Sequence, residues 1–197
     1  MQFRELLRRR RMVRNYDPEK PVSRASLERI AAAAQRAPSA GFSQGQRLVI
    51  VTEPDRRRAI AEICDESEYV AAGFDPWVSR AAALIVPCVS EEIYHRRYNE
   101  PDKRPPGEPE IDWPIPYWWV DIGATWVLIM LAAVDEGLAA GFLGTHRVAD
   151  LKAILGVPDE FVPIGVVTVG HPLPDRKSGS LKRGWVADSD FVRWEVW

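Results

Sequence analysis

The stretch YWWVDIGATWVLIMLAAVDEGLAA, residues 117–140, decides how the rest of the chain is read. Wound as a helix it is apolar on most of its circumference and leaves no polar face wide enough for water. Such a helix is buried all round, either in a core or against a second subunit. Its longest uncharged apolar run, Ile122–Val134, has 13 residues, too few to cross a bilayer. The stretch is therefore read as the central helix of a domain in water, and its apolar breadth predicts an obligate dimer.

Immediately before it, from Pro101 to Pro116, six prolines fall in sixteen residues, with Gly107 and several acids among them. Proline fixes φ and removes a donor, so this stretch is irregular. A long irregular segment inside a compact domain is typically a lid or binding loop, and residues 91–116 are read as an inserted lid. Further upstream, Arg47–Thr52 and Ala81–Val89 read as strands, and Pro54 opens a helix through about Cys64. Ser23 is the candidate N-cap of a helix with a Leu27, Ile30, Ala31, Ala34 stripe that Pro38 ends. Gln2–Arg9 reads as a short helix and Met12–Pro21 as extended or turning chain. Downstream, Gly141–Thr145 reads as a glycine turn, Val148–Leu155 as a helix and Val162–Val169 as a strand. Residues 171–197 read as a C-terminal arm whose Phe191, Trp194 and Trp197 need a surface to pack on.

The whole, residues 1–197, is read as one α+β domain without internal repeats. With 46% hydrophobic and 27% charged residues there is enough apolar surface to offset chain entropy. The 26 basic and 28 acidic residues leave a net charge of −2, which argues against nucleic-acid or anionic-membrane partners. No apolar stretch follows the N-terminal arginines, so no secretory signal is expected. Cys64 and Cys88 form neither a disulfide framework nor a C-x-x-C pair, and a reducing cytoplasm is the expected location. Both are read as inert core residues.

Six arginines fall among the first fourteen residues: Arg4, Arg8, Arg9, Arg10, Arg11 and Arg14. They make either a solvated helix face or an anion site in which guanidinium forks grip a phosphate. Composition does not choose between the two. Gly41-Phe42-Ser43-Gln44-Gly45 matches the letters of the serine-hydrolase elbow, but that elbow needs a strand before the serine and a helix after it. Here the order is reversed, and a glycine-rich turn bringing backbone close to a ligand is the better reading. Three histidines and two cysteines offer no metal spacing. No Walker loop or G-x-G-x-x-G is present.

The order of the pieces goes further. Arg10-Arg11-Met12-Val13-Arg14-Asn15-Tyr16 comes first, then Ala37-Pro38-Ser39-Ala40-Gly41-Phe42-Ser43-Gln44. Asp121-Ile122-Gly123-Ala124, Gly141-Phe142-Leu143-Gly144-Thr145, Leu155-Gly156-Val157-Pro158 and Gly170-His171-Pro172 follow, with Lys182-Arg183 in the arm. Over nearly the whole chain this series resembles the nitroreductase family of flavin mononucleotide (FMN) enzymes.

The resemblance implies an α+β fold with a mixed central sheet of four or five strands flanked by helices. It also implies a homodimer through the long helix and an arm that crosses to the partner. Arg10, with Lys182 or Arg183, should hold the FMN phosphate, and Arg11 and Met12 should line the same segment. Arg14 should face N1 and O2 of the flavin, where a fixed cation raises the reduction potential. Pro38, Ser39 and Ala40 should come from the partner chain, backbone N–H groups around Gly144 and Thr145 should face N5 and the O4 edge, and Phe42 and Leu143 should also contact the cofactor. Phe42, Trp113, Tyr117 and Trp118 are the expected acceptor pocket, with the tryptophans packing a dimer core as the alternative. Met12 stands where the family has serine, Phe42 where it has asparagine, and Gly45-Gln46 where it has Pro-Trp. The implied activity is that of a flavoprotein oxidoreductase: a hydride from NADH or NADPH passes by way of flavin N5 to a small apolar or aromatic acceptor, in a ping-pong sequence. A non-catalytic flavin-storage protein, or a branch resembling flavin destructases or dehalogenases, are the alternatives.

Overall fold

Strand β2 (Ala83–Val89) is buried at every position, and the other elements are arranged around it. Its Leu84, Val86 and Cys88 join one apolar cluster and Ile85 another, as the two-residue period of a strand requires. The computed structural model, which describes residues 2–197, contains a five-stranded sheet. β1 (Gln46–Val51), β2, β5 (Val166–Gly170) and β3 (Ala139–Leu143) lie side by side in that order, and the two-residue β4 (Val162–Pro163) pairs with the end of β2. Every ladder is antiparallel. The expected mixed sheet is thus corrected for the single chain, since no parallel pair occurs among the described residues.

Helices α2 (Arg24–Ala34) and α6 (Tyr117–Asp135) cover one face, packing Ile30, Ala34, Ile129 and Met130 on Ile85, Val167 and Val169. Helices α3 (Pro54–Ile63) and α7 (Val148–Leu155) cover the other, bringing Ile60 and Leu151 to Leu84, Val86 and Val166. α1 (Phe3–Arg9) lies against α6. α4 (Glu66–Ala71) and α5 (Glu91–Tyr98) stand beside the sheet, and α8 (Asp188–Phe191) lies in the arm. The Ser23 hydroxyl accepts the Ser26 N–H at 3.1 Å, as its position before α2 suggests.

The departures from the sequence reading have local causes. α6 stops at Asp135 because Gly137 takes a φ of 75°, a conformation that glycine adopts without a Cβ penalty. The apolar residues after it therefore begin β3, and Gly141–Leu143 is strand, not turn. Gly141 is needed there because a Cβ would stand 2.5 Å from the Val13 carbonyl. The expected strand Val162–Val169 is broken in two at Gly165, whose φ is 144°. Residues 91–98 of the expected lid are helix α5, capped by the Ser90 hydroxyl on the Ile93 N–H. Only residues 99–116 are irregular.

By length and apolar composition α6 could cross a membrane, but half of it is buried inside the protein. On its free side Tyr117, Trp119, Val120 and Val127 stay exposed. The thiols of Cys64 and Cys88 are buried, and burial pushes them up to about 12 and about 11. Neither is a nucleophile at neutral pH.

The segment 11–17 is fastened to the sheet. The Val13 N–H donates to Ala140 O at 3.2 Å. The fully buried Tyr16 donates its hydroxyl to Val13 O at 2.9 Å and stands 2.8 Å from Thr168 Oγ1. Beyond β5, Leu173 N–H donates to Asn15 O and Asp17 N–H to His171 O. The start of the arm and the N-terminal segment are thus zipped together.

Candidate functional site

The N-terminal arginines divide into those that are paired and those that are not. Arg8 and Arg9 are bound to Glu5, as on a solvated helix face, and Arg11 is bound to Asp175 at 3.2 Å. The half-buried Arg10 has no ion pair or side-chain hydrogen bond among the described residues. Arg14 also meets no acid there; its guanidinium lies 5.6 Å from the ring centres of both Phe74 and Trp77. Beneath it, the Arg14 N–H donates to Asp175 Oδ2 at 3.1 Å. Asp175, whose side chain is 4% exposed, therefore fixes the backbone carrying both Arg11 and Arg14. Met12 turns the other way and packs against the α2–α6 cluster, so its side chain is a core contact.

The exit of β3 offers further donors. Leu143 is buried, but the N–H groups of Gly144 and Thr145 make no hydrogen bond among the described residues. Space is open around Gly144. The Thr145 hydroxyl is occupied, donating to Ile63 O at 3.1 Å and accepting from the Arg147 N–H at 3.0 Å. Only the backbone of Thr145 is available to a ligand. Lys182 and Arg183 sit in an exposed 3₁₀ turn, Gly179–Arg183, without an acidic partner among the described residues.

The third group is the turn after α2. Ala40 N–H donates to Asp121 Oδ2 at 2.8 Å, and the Tyr94 hydroxyl donates to the same oxygen at 2.8 Å. Burial, and then the carboxylate beside it, push the Tyr94 hydroxyl far above the usual phenol range, so it remains a donor. Ser39 Oγ accepts the Gln44 N–H at 3.0 Å, and Pro38 precedes it on the exposed side. Gly41, Phe42 and Gln44 all have positive φ, of 59°, 56° and 53°. For a bulky residue this costs on the order of 1–3 kcal/mol and persists only where the surroundings fix it. The result is a Phe42 ring that is 73% exposed. The Ser43 hydroxyl donates to Ala40 O at 2.6 Å; turned onto its own backbone, it has no nucleophile's geometry.

Phe42, with Ala31, Ala34, Gln44, Arg47 and Thr125, lines a cavity of about 810 Å3 between α2, this turn and β1. Neither Arg10–Arg14 nor Gly144–Thr145 borders it. No hydrogen bond or ion pair among the described residues joins the Pro38–Phe42 turn to the other two groups.

Of the expected acceptor pocket, Trp113 and Trp118 belong instead to an aromatic cluster with Tyr94, His95 and Tyr98. Trp118 is buried and borders only a smaller cavity with His95 and Trp119, away from Phe42, whereas Tyr117 is exposed. Glu110 ties the cluster to α5, bonded to His95, to Trp113 Nε1 at 2.9 Å and to Asn99 Nδ2 at 3.3 Å. The Glu110 contact holds His95 above the usual imidazole range. No His/Cys/Asp/Glu group suited to a metal ion exists among the described residues.

A protein-family model described as the nitroreductase family matches residues 7–171. The chain belongs to the nitroreductase family. One curated relative in the family's range, from Archaeoglobus fulgidus, bears a name coupling NADH dehydrogenase with NAD(P)H nitroreductase. It is 26% identical over 171 residues, 85% of this chain and 83% of that one. A Bacillus subtilis protein named FMN reductase [NAD(P)H] is 26% identical over 178 residues, and the match spans 62% of its length. Among solved structures, a nitroreductase from Exiguobacterium sibiricum in complex with FMN superposes with a TM-score of 0.78 at 17% identity. It covers 99% of this chain and 98% of its own. That likeness concerns the nitroreductase fold.

Sequence reasoning missed Asp175 and the role of Asp121 as the anchor of Ala40. Asp121 stood in a quoted motif without a role. Asp175 gave no signal, because a lone acid after a proline pair has none.

Proposed function

We propose that the chain is an FMN-dependent oxidoreductase that takes reducing equivalents from NADH or NADPH and delivers them to a small apolar or aromatic acceptor, by a ping-pong sequence. The observation that carries this reading is a set of donors left without an acidic or carbonyl partner among the described residues, which pair most of the other cations. The set comprises the guanidinium groups of Arg10 and Arg14, the N–H groups of Gly144 and Thr145, and the charges of Lys182 and Arg183. Such a set fits a ligand with a dianionic phosphate and a ring edge rich in acceptors, which is FMN. Bound FMN supplies the centre that accepts and gives up hydride, chemistry that no side chain here offers.

The residues have separate tasks. Arg10, with Lys182 or Arg183, would grip the phosphate. Arg14, stacked on Phe74 and Trp77 and held from below by Asp175, would present a fixed positive charge to the pyrimidine edge. Gly144 and Thr145 would donate backbone N–H groups to the opposite edge, the glycine permitting close approach. No acid–base dyad is required of the protein, since solvent can supply protons.

The turn at Pro38–Phe42 completes this site from a second copy of the chain. Three features support a homodimer: the exposed apolar side of α6, the uncovered aromatics of the arm, and the free edge of β1. An arm crossing to the partner's β1 would bury Phe191, Trp194 and Trp197 and provide the added strand of a mixed sheet. Phe42 and Tyr117, both exposed, would then meet the acceptor.

Arg14→Leu tests the cation's task. The variant should retain FMN while its two-electron midpoint potential falls, as measured by potentiometric titration. An unchanged midpoint would remove Arg14 from the pyrimidine edge.

A further inference from the structure

We infer that Arg97 is a positioning residue that sets the presentation of Phe42 to the acceptor, by clasping the turn at Gly41 to the irregular segment at Asp102. The inference rests on the acceptor site proposed above. Arg97 lies near the end of α5 with its side chain 21% exposed, and its guanidinium is fully engaged. Nε donates to Gly41 O at 2.9 Å, while Nη1 and Nη2 donate to the two oxygens of Asp102 at 2.6 and 2.7 Å. Nη1 also reaches Glu100 at 2.9 Å. Among the described residues, no other group is bonded to the Gly41 carbonyl.

That carbonyl belongs to the peptide plane between Gly41 and Phe42. Because the peptide is planar, fixing its oxygen fixes the plane from which the φ of Phe42 is measured. Phe42 holds its φ of 56° at an energetic cost and would leave this conformation if the plane were free to turn. The bond from Arg97 therefore acts on the dihedral that aims the exposed ring. The neighbouring residue supports it, since a Cβ at Gly41 would lie 2.6 Å from the Tyr98 ring. The Tyr98 ring in turn stands 4.7 Å from that of Trp113. Both links from the irregular segment to the turn run through the last turn of α5.

Asp102 contributes orientation. An exposed ion pair is screened and stabilises little by itself, but a two-toothed carboxylate grip sets the plane of the guanidinium. Nε is then aimed at Gly41. A lysine at this position offers a point charge on a flexible stem and cannot serve both partners in that geometry.

The test uses the FMN-loaded protein with NADH and two acceptors, 1,4-benzoquinone and a naphthoquinone, in Arg97→Lys, Asp102→Asn, Phe42→Ala and the Arg97→Lys/Phe42→Ala double variant. Arg97→Lys should raise the acceptor KM about three- to tenfold, part of the effect of losing a charge-assisted hydrogen bond. Its kcat and flavin content should not change. Hydrogen exchange of the amides at 41–44 should quicken. Asp102→Asn should do the same more weakly, and it serves if Arg97→Lys does not fold. In the Phe42→Ala background, Arg97→Lys should add nothing further to KM, because the two side chains act as one unit. A KM effect of Arg97→Lys that persists in full without Phe42 overturns the inference. So do an unchanged KM and unchanged exchange in a folded Arg97→Lys while Phe42→Ala raises KM. An unchanged KM in Phe42→Ala overturns instead the acceptor reading on which the inference rests.

Discussion

Arg10→Ala is expected to purify with little flavin, and its affinity for added FMN is expected to fall about ten- to a hundredfold. The physical ground is that Arg10 has no ion pair among the described residues, beside the Glu5-bound Arg8 and Arg9. A guanidinium with no acid nearby is available to a phosphate, and a charge-assisted hydrogen bond contributes about 1.5–3 kcal/mol. Arg9→Ala is the control, since Arg9 already has its partner and should keep full occupancy. Fluorescence titration of the apoprotein with FMN measures both. Equal affinities for Arg10→Ala and the parent protein would place the phosphate elsewhere.

The second large effect is expected from removing residues 185–197. In the single chain Trp185, Phe191, Trp194 and Trp197 are almost wholly exposed, and an isolated protein rarely presents so much aromatic surface. Burying each against a partner would contribute about 1.5–3 kcal/mol. The four together would shift dimer dissociation on the order of ten-thousandfold or more. The shortened chain should therefore sediment as a monomer at micromolar concentration. It should also lose FMN although Arg10 and Arg14 are intact, because the Pro38–Phe42 turn would no longer be supplied by the partner. A shortened chain that remains a flavin-loaded dimer would show that the arm does not hold the two copies together.

How much of this could be read from the sequence depends on how local each signal is. The helix starting at Tyr117 announces itself by an apolar circumference, and Ser23 by its place before a periodic stripe. The end of α6 was not legible, because the apolar pattern runs on past Gly137 and only the φ of 75° there separates helix from strand. Helix α5 was hidden because it has almost no buried stripe, with only Tyr94 fully buried and Ile93 packed beside it. In the site, Arg10 and Arg14 were legible as types at a spacing. Which arginines were free was not, since that depends on Glu5 three and four residues away and on Asp175 across the fold. Trp113 and Trp118 carry a signal with two readings. Their aromatic density suggests a ligand surface, yet Tyr94, His95 and Tyr98 consume it in packing, a demand set by tertiary neighbours. Phe42 is exposed for a reason no pattern contains: three left-handed residues in a four-residue turn.

The most direct measurement of the central claim is the visible absorption spectrum of the purified protein, recorded anaerobically before and after mixing with NADH or NADPH, then with a quinone. The protein should be yellow, with flavin bound near one per chain. Its flavin band should bleach on addition of at least one of the two nicotinamides and return when the quinone is added. A colourless protein that does not take up FMN would contradict the cofactor assignment, and a yellow one that neither nicotinamide bleaches would contradict the oxidoreductase activity.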